Sequence, residues 1–276
     1  QEVIRQAQQL VDARYKEIVL TGIHTGGYGE DMKDYNLAAL LRDLEAQVKG
    51  IKRLRISSIE ASQITDEVIE VIDQSNIIVN HLHIPLQSGS DTVLKRMRRK
   101  YTMEFFGERL DRLKEVLPGL AVTSDIIVGF PGETEEEFME TYNFIKKHQF
   151  SELHVFPYSK RTGTPAARME DQVDEDVKNE RVHRLIELSN QLAKEYASQF
   201  ENEVLEVIPE EIYKEEPDSG LYVGYTDNYL KVVFPATEEM IGKIVKVKIV
   251  KAGYPYNEGQ FVRVLEDEIV AEQAVM

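Results

Sequence analysis

The sequence predicts an α/β protein in two parts. The first is a (βα) barrel of TIM type that lacks its first strand; the second is a small all-β barrel of oligonucleotide-binding (OB-like) type. Three observations carry this reading. Strand-like and helix-like stretches alternate from Lys16 to Pro165, the pattern of repeated βα units around a parallel sheet. Polar residues fit for ligand contact follow every strand instead of gathering at one crossover point, which favours a barrel over an open doubly wound sheet. After Phe200 the texture changes to short strands separated by turns, as in small closed barrels. The expected domains are residues 1–200 for the incomplete barrel, 201–267 for the small barrel and 268–276 for a tail.

Val3, Ala7, Leu10 and Val11 fall at helical spacing, so residues 2–13 read as a helix. Lys16 to Leu20 is a short strand leading into a glycine-rich loop, residues 21–29. Such a loop either lets backbone approach a ligand or only turns the chain. Leu37 to Val48 is an amphipathic helix, and Arg53 to Ile59 alternates as a strand ending at Glu60. Thr65 is placed to cap a helix over residues 65–73. The next strand runs through His81 and His83 and delivers Gln87 and Ser88, with Asp91 positioned as a cap for a helix carrying Arg96, Arg98 and Arg99. A helix over 105–116 stops at Pro118-Gly119, and Ala121 to Val128 is a further strand. Thr134 opens a helix with Glu135, Glu136 and Glu137 in its first turn, favourable to the helix dipole. Glu152 to Phe156 is the last strand of the series, and residues 174–200 form one long helix. Five short strands follow, at 204–212, 221–226, 229–234, 244–250 and 260–265.

The net charge of −16 argues against a nucleic-acid binder held by its overall field. Locally the balance reverses. Lys243, Lys246, Lys248, Lys251 and Arg263 face only Glu258 within their stretch, with Tyr254 and Tyr256 among them. Cations hold phosphates while aromatics stack on bases, although a solvated barrel face has the same composition. No run of apolar residues is long enough for a transmembrane helix. The chain contains no cysteine, so it offers no thiolate to a metal or cluster; the absence is compatible with a cytoplasmic protein. Gln1-Glu2-Val3 reads as the inside of a helix, and the chain is expected to be part of something longer.

Five motifs in order carry a resemblance: LTGIHTGGYG (20–29), RISSIE (55–60), HIPLQSGSD (83–91), DIIVGFPGET (125–134) and FPYSKRTGTP (156–165). Together with the basic small barrel they resemble the methylthiotransferases of the radical S-adenosylmethionine superfamily, over nearly the whole chain. The glycine loop is similar to the branch that acts on N6-threonylcarbamoyladenosine beside the tRNA anticodon. The last domain resembles the TRAM RNA-binding module. The resemblance implies S-adenosylmethionine and two 4Fe–4S clusters in the full-length protein. Cleavage of the cofactor yields a 5′-deoxyadenosyl radical that takes hydrogen from C2 of the adenine, and sulfur and methyl insertion follow. Glu60 would accept from the methionine ammonium, Gln87 and Ser88 would meet the ribose, and Arg99 would pair with the carboxylate. Val128, Gly129 and Phe130 would lie along the adenine, with Gly22 and Ser58 also at the cofactor. Lys243, Lys246, Lys248, Lys251, Tyr254 and Arg263 would contact the anticodon stem-loop.

The family's Cys-x-x-x-Cys-x-x-Cys loop and its N-terminal cluster domain are absent from this sequence. No catalytic residue and no metal ligand is therefore expected here, and the chain alone is expected to be inactive. Arg14 stands where relatives often close the first helix with glycine. An incomplete barrel would also expose Ile18 to Leu20 to pairing with other chains. Three alternatives remain: another branch of the methylthiotransferases, acting on isopentenyladenosine tRNA or a ribosomal protein; a non-catalytic RNA-binding protein that keeps the scaffold; and an unrelated metal- or phosphate-dependent barrel enzyme. The last would draw on His24, Glu60, His81 and His83.

Overall fold

The computed structural model describes residues 1–22 and 24–265. The predicted tail, 268–276, lies outside them. The chain divides into two compact units, Gln1–Tyr196 and Ala197–Met276.

In the first unit, helices α1 (Glu2–Asp12), α2 (Leu37–Gln47), α3 (Asp66–Gln74), α4 (Asp91–Arg96), α5 (Met103–Val116), α6 (Glu135–His148) and α7 (Glu175–Ser198) alternate with strands. The strands are β1 (Glu17–Leu20), β2 (Arg53–Ile56), β3 (Ile78–His83), β4 (Ala121–Val128) and β5 (Glu152–Pro157). All pair in parallel, in the order β1-β2-β3-β4-β5. An order that never reverses is the winding of a barrel; a doubly wound sheet changes direction at its switch point. Alternation then sorts the side chains. Leu54, Ile56, Leu82, Val122, Ile126 and Val128 join Leu41, Leu44, Leu110, Phe138 and Ile145 in one buried apolar core. The other face of the strands is polar and carries Arg53, Arg55, His81, His83, Thr123, Asp125 and His154.

Side-chain caps fix several helix starts. Thr65 Oγ1 accepts from Val68 N at 3.2 Å, and Thr134 and Glu137 form a reciprocal capping box. The sequence reading needs three corrections around β3. That strand ends at His83, and Gln87 rejoins the sheet through a single bridge to Ile126. Asp91 does not cap α4; its carboxylate accepts from Met103 N at 2.7 Å and so ties the start of α5. Finally, α4 stops at Arg96, so Arg98 and Arg99 lie beyond it.

That stop is a Schellman motif. Arg98 takes a φ of 60°, its N–H bonds Lys95 O at 3.1 Å, and Arg99 N–H bonds Leu94 O at 2.9 Å. Helix α1 ends the same way, with Arg14 at φ 70°, Arg14 N to Val11 O at 2.8 Å and Tyr15 N to Leu10 O at 3.1 Å. Both left-handed positions are filled by arginine where glycine is the unstrained choice.

In the second unit, β6 (Val204–Ile212), β7 (Leu221–Thr226), β8 (Lys231–Pro235), β9 (Val245–Lys251) and β10 (Asn257–Val264) close a barrel in the order β10-β8-β7-β6-β9. Antiparallel pairing of β9 with β10 completes the ring. Val207, Val232, Phe234, Val245, Val247 and Ile249 are fully buried within it.

Candidate functional site

A cavity of about 710 Å3 opens beside the C-terminal ends of β4 and β5. One side is the turn after β3 and the end of α4, giving Gln87, Arg96, Met97, Arg98 and Arg99. Its floor is Asp125 and Ile127 of β4, and its far wall runs from Phe156 through Tyr158, Ser159 and Arg161 to Met169. Phe130 and Tyr158 meet edge to face at 5.4 Å and form an aromatic corner. The polar content is mainly cationic. Arg96 is already held by Glu137 in a two-point pair, at 3.0 and 2.5 Å, so it braces the wall. Arg98, Arg99 and Arg161 remain opposite the single carboxylate of Asp125.

Backbone geometry sets this wall. Gln87 has a φ of 65°, held by Gln87 N to Asp125 O and by Ile127 N to Gln87 O, both 2.9 Å. A left-handed non-glycine residue kept in place by two sheet bonds is the kind of strain found at ligand sites. Gly89 lets this turn close on α6: a Cβ there would meet Thr141 Cα at 2.6 Å, and its N–H bonds Thr141 Oγ1 at 2.9 Å.

The loop after β4 is clamped from behind. Gly129, at φ 69°, donates to Glu133 Oε1 at 2.8 Å. Arg181 of α7 bonds that same oxygen at 2.7 Å and the Glu133 carbonyl at 3.1 Å. Both side chains are almost fully buried. Burial raises the Glu133 carboxyl above its usual value, against the pull of Gly129 and Arg181. The sequence reading did not single out this pair. The spacing from Glu133 to Gly129 was visible, but a partner on a helix far along the chain was not.

Of the predicted cofactor residues, Gln87, Arg99 and Phe130 line the cavity, with the backbone of Val128 and Gly129 leading into Phe130. Glu60 stands behind Arg99 at 3.7 Å, both partly exposed. Ser88 turns away: it is fully buried, and its hydroxyl lies 3.3 Å from that of Thr141. Gly22 is exposed and Ser58 half-buried, each just beyond its strand, and neither lines the cavity. Asp125, Ile127, Phe156, Tyr158 and Arg161 line it without having been predicted as site residues. Strand alternation through Thr123, Asp125 and Ile127 is the signal that could have found two of them.

The polar face of the strands continues below the cavity. Thr123 Oγ1 lies 3.0 Å from both His81 Nε2 and His83 Nδ1. Burial pushes His81 down to about 3, so it is neutral. The hydrogen bond from His83 holds the Asp125 carboxyl below its usual range. The sequence set of His24, Glu60, His81 and His83 does not assemble as a metal site: among the described residues, only His83 joins a metal-type group, with Asp125 and His154.

On the second unit, Lys246 and Lys248 point outward from β9, and Arg263 from β10 is the ladder partner of Lys246. Lys243 is exposed in the turn before β9, and Tyr254 is half-buried after it. Lys251 pairs with Glu258 at 2.7 Å, a charge the sequence count already includes, whereas Lys246 pairs with Glu206 at 3.1 Å, which lowers the local positive charge below that count. Glu206 belongs to β6, outside the stretch whose charges were counted. A second cationic–aromatic group was not predicted: Lys231 Nζ lies 4.7 Å from the Tyr256 ring and 5.8 Å from that of Tyr225.

The residues present fit S-adenosylmethionine. The cavity offers guanidinium groups for a carboxylate, an aromatic corner for a purine and a polar turn at Gln87. They do not fit an iron–sulfur cluster, because no thiolate is available in this chain.

The chain is 82% identical over 269 residues to the threonylcarbamoyladenosine tRNA methylthiotransferase MtaB of Bacillus subtilis, covering 98% of this chain and 60% of that protein. It is 40% identical to a tRNA-2-methylthio-N(6)-dimethylallyladenosine synthase of Thermoanaerobacter pseudethanolicus, covering 96% of this chain and 56% of that one. The chain thus spans under two thirds of the length of these relatives. Among solved structures, coproporphyrinogen III oxidase (HemN) of Escherichia coli matches with a TM-score of 0.51 at 18% identity, over 68% of this chain and 46% of that one, a likeness of fold. The TRAM domain profile matches residues 199–263. The profile of the radical SAM superfamily matches residues 1–145, just over half of the chain, and the chain belongs to that superfamily.

Proposed function

We propose that this chain is the cofactor-holding barrel and RNA-docking module of a methylthiotransferase that modifies C2 of N6-threonylcarbamoyladenosine next to the tRNA anticodon. The observation that carries the branch is 82% identity along 98% of the chain to a relative named for that activity, against 40% to the dimethylallyladenosine relative. The cavity supports the cofactor. Arg99 pairs with the methionine carboxylate, Gln87 meets the ribose, and Val128, Gly129 and Phe130 flank the adenine. Glu60 receives the ammonium from its place beside Arg99. Ser88, buried against Thr141, shapes the turn. Gly22 and Ser58 border the site from the loops after β1 and β2.

S-adenosylmethionine supplies the radical and the methyl group when bound in a protein that also carries the two clusters. This chain binds and orients the cofactor, and its side chains supply no ligand to either cluster, so it is inactive alone. Lys243, Lys246, Lys248, Lys251, Tyr254 and Arg263 dock the anticodon stem-loop, and a cytoplasmic setting follows from that substrate. No helix among the described residues is long and apolar enough to cross a membrane. The test is reconstitution of the full-length protein with reductant, S-adenosylmethionine and tRNA, followed by mass spectrometry of the nucleosides. A 2-methylthio gain on threonylcarbamoyladenosine is expected. A gain on isopentenyladenosine alone would overturn the branch.

A further inference from the structure

The geometry points to a divalent transition-metal site on the inner face of the sheet, formed by His83, Asp125 and His154. It goes beyond the proposed function, which places no metal on these residues.

The three side chains come from three adjacent parallel strands. Asp125 and His154 are ladder partners, and His83 is the ladder partner of Thr123, two residues before Asp125. Partners in a parallel ladder point to the same face, so backbone register alone converges the set. The donor atoms all lie within 4.8 Å of one another. His83 Nε2 and Asp125 Oδ2 are 3.4 Å apart. As a hydrogen bond this is stretched beyond the usual charge-assisted N–H···O distance of about 2.7–2.9 Å. It matches two ligands on one four-coordinate ion, which at bond lengths of about 2.0–2.1 Å stand about 3.3 Å apart. The rings of His83 and His154 are 5.8 Å apart between centroids and tilted by 36°, so the exposed His154 stands beside His83 with a ring nitrogen within 4.8 Å of the other two donors.

Orientation around the set supports this. Thr123 Oγ1 holds His83 Nδ1 at 3.0 Å and leaves Nε2 turned toward Asp125. A hydrogen bond on the second ring nitrogen is the usual support of a metal-bound imidazole. Two imidazoles with one carboxylate select a borderline ion such as Zn2+ or Fe2+ over Mg2+ or Ca2+, which take oxygen ligands. Three protein ligands leave positions open to a further oxygen or nitrogen donor.

The experiment uses the 276-residue chain, stripped with chelator and titrated with Co2+ and then Zn2+. Calorimetry gives stoichiometry and affinity, and visible absorption reports the Co2+ environment. One ion per chain is expected, with absorption of low-coordinate Co2+ that Zn2+ displaces and Mg2+ does not. His154→Ala, at an exposed position, should weaken Zn2+ binding at least about tenfold, as should Asp125→Asn, while Thr123→Val should weaken it by a smaller factor. His24→Ala serves as control and should change nothing. Absence of a one-to-one Co2+ complex, or unchanged affinity in a folded His154→Ala protein, would overturn the site.

Discussion

Replacing Glu133 by Gln should destabilise the first unit more than its small change in shape implies. The amide keeps an oxygen for Gly129 N–H, now 2.8 Å away, but leaves the Arg181 guanidinium buried without its carboxylate. Breaking a buried pair from one side costs about 3–5 kcal/mol. Arg181 retains the Glu133 carbonyl at 3.1 Å, Glu135 at 3.6 Å and the Phe138 ring at 5.4 Å, which favours the lower end. A loss of about 3 kcal/mol corresponds to a fall of about 6–12 °C in melting temperature for a unit of this size. Arg181→Met should behave differently with pH. Arginine cannot shed its proton, whereas a carboxyl can gain one. Burial already raises the Glu133 pKa in the intact pair, and removing Arg181 removes a pull in the other direction. A folded pKa above the unfolded one means stability is fully present below the unfolded value and is lost as pH rises through the folded one. Arg181→Met should therefore gain stability toward acid pH through Glu133, whereas Glu133→Gln has no such titration, and its deficit against wild type narrows there because wild-type Glu133 is itself protonated. Melting curves of both variants across pH test this. A Glu133→Gln shift under about 2 °C, or the same pH profile for both variants, would show that the pair does not hold the loop.

Arg99→Gln should weaken S-adenosylmethionine binding about 10- to 100-fold by equilibrium dialysis, the worth of a hydrogen bond to a charged group, while the melting temperature stays put; a 3.7 Å, half-exposed pair with Glu60 contributes little to stability. Arg14→Gly should raise stability by about 0.5–1 kcal/mol in urea melts, because the Schellman position at φ 70° is strained for arginine; unchanged or lower stability would refute the strain. His148 is buried against Asp111 at 3.1 Å, and burial pushes it below its usual 6.5. Its contribution is therefore lost as pH falls below 6.5, and His148→Gln should flatten that slope in thermal melts. If Zn2+ binds at Asp125, which also lines the cavity, each ligand should change the other's affinity by the same factor; a Zn2+ affinity unchanged by saturating S-adenosylmethionine would exclude coupling.

The fold was legible because its signals are local and periodic. The apolar positions of α2 and α3 and the alternation in β4 state their own burial, and Thr65 and Thr134 announce their helices. Residues 88–99 show where local reading fails. Nothing in Leu94-Lys95-Arg96-Met97-Arg98-Arg99 forbids another helical turn, and no glycine marks a stop. The helix ends because Arg98 adopts a left-handed conformation that its own side chain disfavours. Two backbone hydrogen bonds, Arg98 N to Lys95 O and Arg99 N to Leu94 O, close that turn, and a linear sequence does not display it. The consequence is functional: a continued helix would carry Arg99 round its axis, whereas the Schellman turn leaves it in the cavity wall.

Sites assembled across strands were the least visible. His83, Asp125 and His154 are separated by scores of residues, and each alone reads as an ordinary polar strand position. Their convergence depends on ladder register, which the sequence does not state in a sheet whose inner face is largely polar. The basic face of the small barrel shows the same effect with opposite sign. Its cations are contiguous in sequence, so they were found, but Glu206 reaches Lys246 from a strand outside that window. A charge count along the chain overstates the field whenever a neighbouring strand supplies the counter-ion. Salt dependence of RNA binding should thus report fewer phosphate contacts than the number of basic residues in β9 and β10.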